Sequence, residues 1–278
     1  MNKTSLNIKM LYNEMGKAEK QIADWILENP GKIMSLSIVE LAEQCGCSEA
    51  TIVRFSKRLG LSGYQELKIS LASESGSSTI NTKINAYDSA FEMYEKVCND
   101  IYCSLELTKK SLDKEKIALA AKKLCEAKKI VVFGLGNSAA IATDASHKFV
   151  RAGLYAYAYT DNHMQVIAAS HLGKNDVAIG ISHSGSSKDI VEALAIAKEH
   201  GATTIAFTNS GKSPILKQSD IVLATASEET KYNILALNSR IAQLAIIDAL
   251  YFYIVYNRSA DSLESIQQTE LSLLNKKY

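Results

Sequence analysis

The stretch Asp176-Val177-Ala178-Ile179-Gly180-Ile181-Ser182-His183-Ser184-Gly185-Ser186-Ser187-Lys188-Asp189 decides the fold. Its first six residues form a short, mostly apolar, partly β-branched run, the pattern of a strand buried in a parallel sheet. Beyond it, Ile190-Val191-Glu192-Ala193-Leu194-Ala195-Ile196-Ala197-Lys198 repeats apolar residues at helical spacing, so a helix begins near Ser187. Hydroxyls and one glycine fill the turn between them. That geometry aims free backbone N–H groups and the positive end of a helix dipole at one point, surrounded by serine donors. It suits a phosphate or another anion. The alternative is a serine-rich turn with Ser187 as an ordinary N-cap.

Working outward, four further strands are predicted. They are Ile130–Phe133, Leu154–Tyr159, Thr203–Phe207 and Ile221–Ala224, and helices separate most of them. Alternation of this kind predicts βαβ units and a doubly wound parallel sheet, a three-layer α/β domain whose ligands bind at the carboxyl ends of the strands. The first strand ends in Gly134-Leu135-Gly136-Asn137-Ser138-Ala139, a second hydroxyl-bearing strand-to-helix turn. It also fits the dinucleotide fingerprint, with Asp161 placed roughly where a ribose-binding acid would lie. A nicotinamide enzyme has no use for the second serine-rich turn. Two such turns converging on one small phosphate is the economical reading. The long apolar segment Ala236–Tyr256 carries Asn238, Arg240, Gln243 and Asp248, and reads as a helix buried against the sheet or a second subunit.

Residues 1 to about 75 read as helices only. Lys17–Leu27 is amphipathic and stops at Asn29-Pro30-Gly31. Ser37-Ile38-Val39-Glu40 has capping-box form, Cys45-Gly46-Cys47 is a tight turn, and Ser48 caps a third helix closed by Gly60. Two short helices around a glycine-bearing turn make a helix-turn-helix candidate. On the third helix Ile52, Phe55 and Leu59 face inward, with Val53 alongside. Ala50, Arg54 and Lys57 stand opposite, flanked by Thr51 and Arg58, a small, hydroxylated or basic face suited to a major groove. Ser48, Ala50, Thr51, Arg54, Lys57 and Arg58 are therefore the candidate DNA contacts. The polar, aperiodic run Ala72–Thr79 reads as a linker. The expected domains are residues 1–76, a linker over 77–87, and 88–278.

The chain has 278 residues, 47 % of them hydrophobic and 22 % charged, the composition of a globular protein. A net charge of +1 leaves DNA binding to rest on a local patch. The opening Met1–Leu6 lacks the apolar core of a signal peptide, and the expectation is a cytoplasmic protein without a membrane partner. Five cysteines without C-x-x-C spacing and five scattered histidines predict reduced thiols and no metal.

Gly134-x-Gly136-x-Ser138 together with Ser182-x-Ser184-Gly185-x-Ser187 resembles the sugar isomerase (SIS) domain, a phosphosugar-binding fold. The run from Ser48 to Lys68 is similar to the DNA-binding domain of the RpiR/MurR transcriptional regulators, and Ser239–Leu250 resembles that family's C-terminal helix. The resemblance covers nearly the whole chain. It implies a regulator that binds double-stranded operator DNA as a homodimer or higher oligomer, responds to a sugar-phosphate effector, and has no catalytic role or cofactor. Ser138, Ser182, Ser184 and Ser187 would then hold the phosphate, helped by Gly136, Asn137 and the backbone around Gly185. His183 and Glu229 are candidates for the sugar itself. Such domains commonly carry Thr where Ser187 stands, and many carry Arg where this chain has Asn233. The competing class is a sugar-phosphate isomerase or lyase with an N-terminal assembly domain, for which Glu228, Glu229, His163, His171 and His183 would supply the acid and base.

Overall fold

The computed structural model describes residues 3–29, 32–33, 36–74, 84–85, 87–209, 211–226 and 237–276. Contacts within the chain divide it into two units, the first holding the residues up to Asp100 and the second most of those from Ile101 onward.

The first unit is helical: α1 Lys3–Leu11, α2 Lys17–Glu28, α3 Ile38–Gln44, α4 Glu49–Arg58 and α5 Tyr64–Glu74. The starts of α3 and α4 have local causes. Ser37 accepts from Glu40 N while Glu40 accepts from Ser37 N at 2.8 Å, the capping box expected at α3. Ser48 accepts from Thr51 N to start α4, and Gly46 takes φ 61° in the intervening turn. Ile8, Ile22, Ile26, Leu41, Ile52, Phe55 and Leu67 close one apolar core across all five helices. Truncating Phe55, which is fully buried, would cost about 3–5 kcal/mol. Tyr64 donates its hydroxyl to Leu36 O at 2.9 Å, and burial pushes its ionisation well above the ordinary phenol range.

Helix α6, Ala90–Ser111, leads into the second unit. There α7 Lys114–Glu126, β1 Lys129–Gly134, α8 Asn137–Arg151, β2 Ala156–Tyr159, α9 Asn162–Ser170, β3 Asp176–Ile181, α10 Lys188–Glu199, β4 Thr203–Asn209, β5 Ile221–Thr225, α11 Leu237–Asn257 and α12 Ser259–Leu273 follow in order. The five strands are parallel, in the order β2-β1-β3-β4-β5. Period-two alternation splits the strand residues between two cores. Ile130, Val132, Ile179, Ile205 and Leu223 pack with α7, α8 and α11. Val131, Phe133, Ala178 and Ala206 pack with α10 and the end of α9. Small residues on that second face let α10 approach closely. A Cβ on Gly180 would lie 2.6 Å from Leu194 Cδ1.

One feature goes beyond the sequence expectations. Helix α12 carries on past the last predicted element. Asn238–Asn257 of α11 has a mean hydropathy of 1.2 and the length of a membrane span, although Ile246, Ile247, Leu250 and Ile254 of that helix are buried in the first core.

Candidate functional site

In the strand order β2-β1-β3, the chain moves outward from β1 to β2 and then returns past β1 to lay down β3. The direction of winding therefore reverses between β1 and β3, the switch point at whose carboxyl ends open parallel sheets hold ligands. Gly134 pairs with Ile181 in register, so both serine-bearing turns leave the same edge from neighbouring strands. Parallel strands lie about 4.8 Å apart.

The first turn depends on two glycines. A Cβ on Gly134 would stand 2.5 Å from the carbonyl oxygen of Ser138, so the first turn of α8 lies directly over the strand end. Gly136 takes φ 55° as the N-cap of α8 and supplies no side-chain cap. Gly136 and Asn137 are exposed and Ser138 is half-buried.

The second turn is pinned from several sides. Ser182 is only 2 % exposed; its N–H donates to Phe207 O at 3.0 Å and its hydroxyl to Ser187 Oγ at 3.0 Å. The carbonyl of His183 accepts from Asn209 N at 2.9 Å and from Thr208 Oγ1 at 3.3 Å. Gly185, at φ 62°, donates to Ser182 O and accepts from Ile215 N, each at 3.0 Å. Ser187 is the N-cap of α10 by backbone geometry but makes no side-chain cap bond, so the ordinary-cap reading does not hold. In neither α8 nor α10 does the N-cap residue's own side chain accept from the first N–H groups of the helix. Ser184 is exposed, and His183 is half-buried. Glu229, like Glu228 and Asn233, lies outside the described residues.

Asp161 accepts from Met164 N at 3.0 Å and caps α9, a local role that answers for the acid in the dinucleotide fingerprint. Sequence reasoning missed Gln165. Its side-chain nitrogen donates to Tyr159 O at 2.9 Å and lies 3.4 Å from Gly134 O, tying the ends of β2 and β1 together. Two carbonyls facing that nitrogen fix the orientation of the amide. The buried oxygen Oε1 has no hydrogen-bond donor among the described residues, and neither does Asn209 Oδ1. A fully buried glutamine on α9 was the available signal, because a polar side chain on an inward helical position needs partners. His163 and His171 are on α9 and at its C-cap, away from any cluster of three or more metal-ligating side chains among the described residues.

On α4, Ala50, Arg54 and Lys57 form an exposed stripe with Ser48 at its start. Two residues assigned to that face have partners within the helical unit. Thr51 is 8 % exposed, and its hydroxyl lies 2.9 Å from Ser48 Oγ, because the fourth position of the capped turn faces inward. Arg58 turns toward α2, where Glu19 Oε2 accepts from its Nη1 at 2.9 Å and Glu14 O from its Nη2 at 2.7 Å.

Residues 2–78 match the helix-turn-helix domain of the rpiR family, and residues 123–253 match the SIS domain. An uncharacterized HTH-type transcriptional regulator of Caldanaerobacter subterraneus subsp. tengcongensis is 39 % identical over 272 residues, covering 97 % of this chain and 96 % of the relative. The chain belongs to the rpiR family of HTH-type transcriptional regulators. The HTH-type transcriptional regulator HexR of Pseudomonas aeruginosa is 35 % identical to this regulator over 274 residues, which is 98 % of the regulator and 95 % of HexR. Among solved structures, the NanR protein of Vibrio vulnificus complexed with ManNAc-6P superposes with a TM-score of 0.83 at 23 % identity, covering 99 % of both chains. The regulator therefore has the same two-part fold.

Proposed function

We propose that the regulator binds operator DNA through α4 and that a sugar phosphate held at the β1–β3 switch point sets its affinity for that DNA. The observation that carries this reading is the pairing of Gly134 with Ile181, from which both serine turns start. Ser138, Ser182, Ser184 and Ser187, with the N–H groups around Gly136, Asn137 and Gly185, hold the phosphate by charge-assisted hydrogen bonds, without metal or cofactor. The ManNAc-6P bound by the NanR protein of similar fold supports that ligand class.

The site binds and does not turn over its ligand. The regulator works in the cytoplasm as a dimer or higher oligomer, and effector binding favours one spacing of its two recognition helices. Half-sites lie about one helical turn apart, so a small change in spacing lowers operator affinity.

The test is a gel-shift titration across a panel of sugar phosphates, paired with a turnover assay on the same compounds. One phosphosugar should change operator affinity at least about fivefold and remain unconverted. No response from any of them, or steady conversion of the one that binds, would overturn the reading.

A further inference from the structure

Arg58 ends α4 one residue after Lys57 and four after Arg54, so sequence spacing alone puts it with the DNA-facing cations. Although exposed, it is held in a local network of hydrogen bonds. The guanidinium spans two acceptors, the carboxylate of Glu19 in the first turn of α2 and the main-chain oxygen of Glu14 in the connection before it. The same Glu19 oxygen accepts from Gly16 N at 3.0 Å, where it completes the start of α2. The Glu19 side chain is only 14 % exposed, and Glu14 Oε2 adds a second negative charge 3.8 Å from Nη2. Turning away toward a phosphate would break two good hydrogen bonds and leave the Glu19 carboxylate without its cation.

We propose that Arg58 is a positioning residue, locking the end of the recognition helix to Glu19 so that Arg54 and Lys57 are held at a fixed angle, and that it carries no operator phosphate. This rests on the reading of α4 as the DNA-binding helix. The planar fork explains the choice of arginine, since one guanidinium bonds two acceptors from different segments at once, which an ammonium does poorly. A cation in the last turn also complements the helix dipole.

The two roles differ in their response to salt. Removing a phosphate contact lowers the slope of log Kobs against log salt by about 0.9, whereas removing a positioning contact weakens binding at unchanged slope. The experiment uses the full chain and a duplex that the wild type selects from a random pool. Arg58→Gln and Glu19→Gln should each reduce affinity by up to about fivefold, by similar factors and with the wild-type slope. The charge-swapped pair Arg58→Glu with Glu19→Arg should recover affinity to within about twofold of wild type. Thermal melts of each variant separate lost folding from lost binding. A slope reduced by about 0.9 in Arg58→Gln overturns the proposal. So does a folded swap variant that binds more weakly than either single variant. If Lys57→Gln reduces the slope in the same series, the DNA-binding reading of α4 stands whichever way Arg58 falls. Failure of the wild type to select any duplex sinks both.

Discussion

The hydroxyl of Ser182 donates to Ser187 Oγ at 3.0 Å, joining the end of β3 to the first residue of the α10 cap. Ser187 makes no side-chain cap bond to α10. Its oxygen is held in place, and the α10 N-terminus keeps its N–H groups for something other than a serine side chain.

From that bond follows a double-mutant cycle. Ser182→Ala and Ser187→Ala should each weaken binding of the sugar phosphate by about 1.5–3 kcal/mol, the scale of a hydrogen bond to a charged group. The double variant should lose less than the sum, because each hydroxyl orients the other. Calorimetric titration with the compound that most raises the melting temperature reads this directly. Full additivity would mean that the two hydroxyls act separately.

Gly134→Ala tests the first turn. The new methyl would meet backbone, the carbonyl of Ser138 at 2.5 Å, and no side-chain rotation relieves that clash. A loss of about 1–3 kcal/mol in stability is expected, together with a lost effector response. Effector-free DNA binding should survive, since the core of Ile22, Ile52 and Phe55 lies in the other unit. Unfolding curves and gel shifts check the two parts.

Gln165→Met keeps the size of the side chain and removes the donor to Tyr159 O. Two strand-end carbonyls then lose their shared partner, at a cost of about 1–3 kcal/mol in stability. Effector affinity should fall as well, because the β1–α8 turn starts from Gly134. Affinity unchanged in a folded Gln165→Met chain would remove Gln165 from the account of the site.

Asp220 gives the chain an acid-sensitive contact. Burial pushes its carboxyl up, but hydrogen bonds from Thr204 and the nearby Lys198 ammonium outweigh this, so the net shift is downward from 3.8. A folded pKa below the unfolded one means that the stabilisation is present above about pH 4 and is lost as pH falls through the folded value. The difference in melting temperature between wild type and Asp220→Asn should therefore shrink steadily from pH 5 to below pH 3. A difference constant over that range would assign the effect to packing.

Much of the chain was legible from local patterns. The Ser37 capping box, the Ser48 cap, the Cys45-Gly46-Cys47 turn and the strand pattern follow from interactions within a few residues, and those are written in the sequence. The partners of Thr51 and Arg58 were not legible for a related reason. Helical spacing says which residues share a face but not which neighbouring segment competes for them. Glu19 stands 39 residues from Arg58, beyond the reach of any periodicity.

By itself the sequence determined two serine-bearing strand-to-helix turns, a helix-turn-helix face and the alternation that makes a parallel sheet, because each depends on short-range geometry. Only the tertiary structure decided that β3 returns to the far side of β1, bringing Ile181 opposite Gly134 so that the two turns leave one edge together. Strand order is set by how helices cover both faces of a sheet. That is a packing outcome of the whole domain, which no single segment encodes.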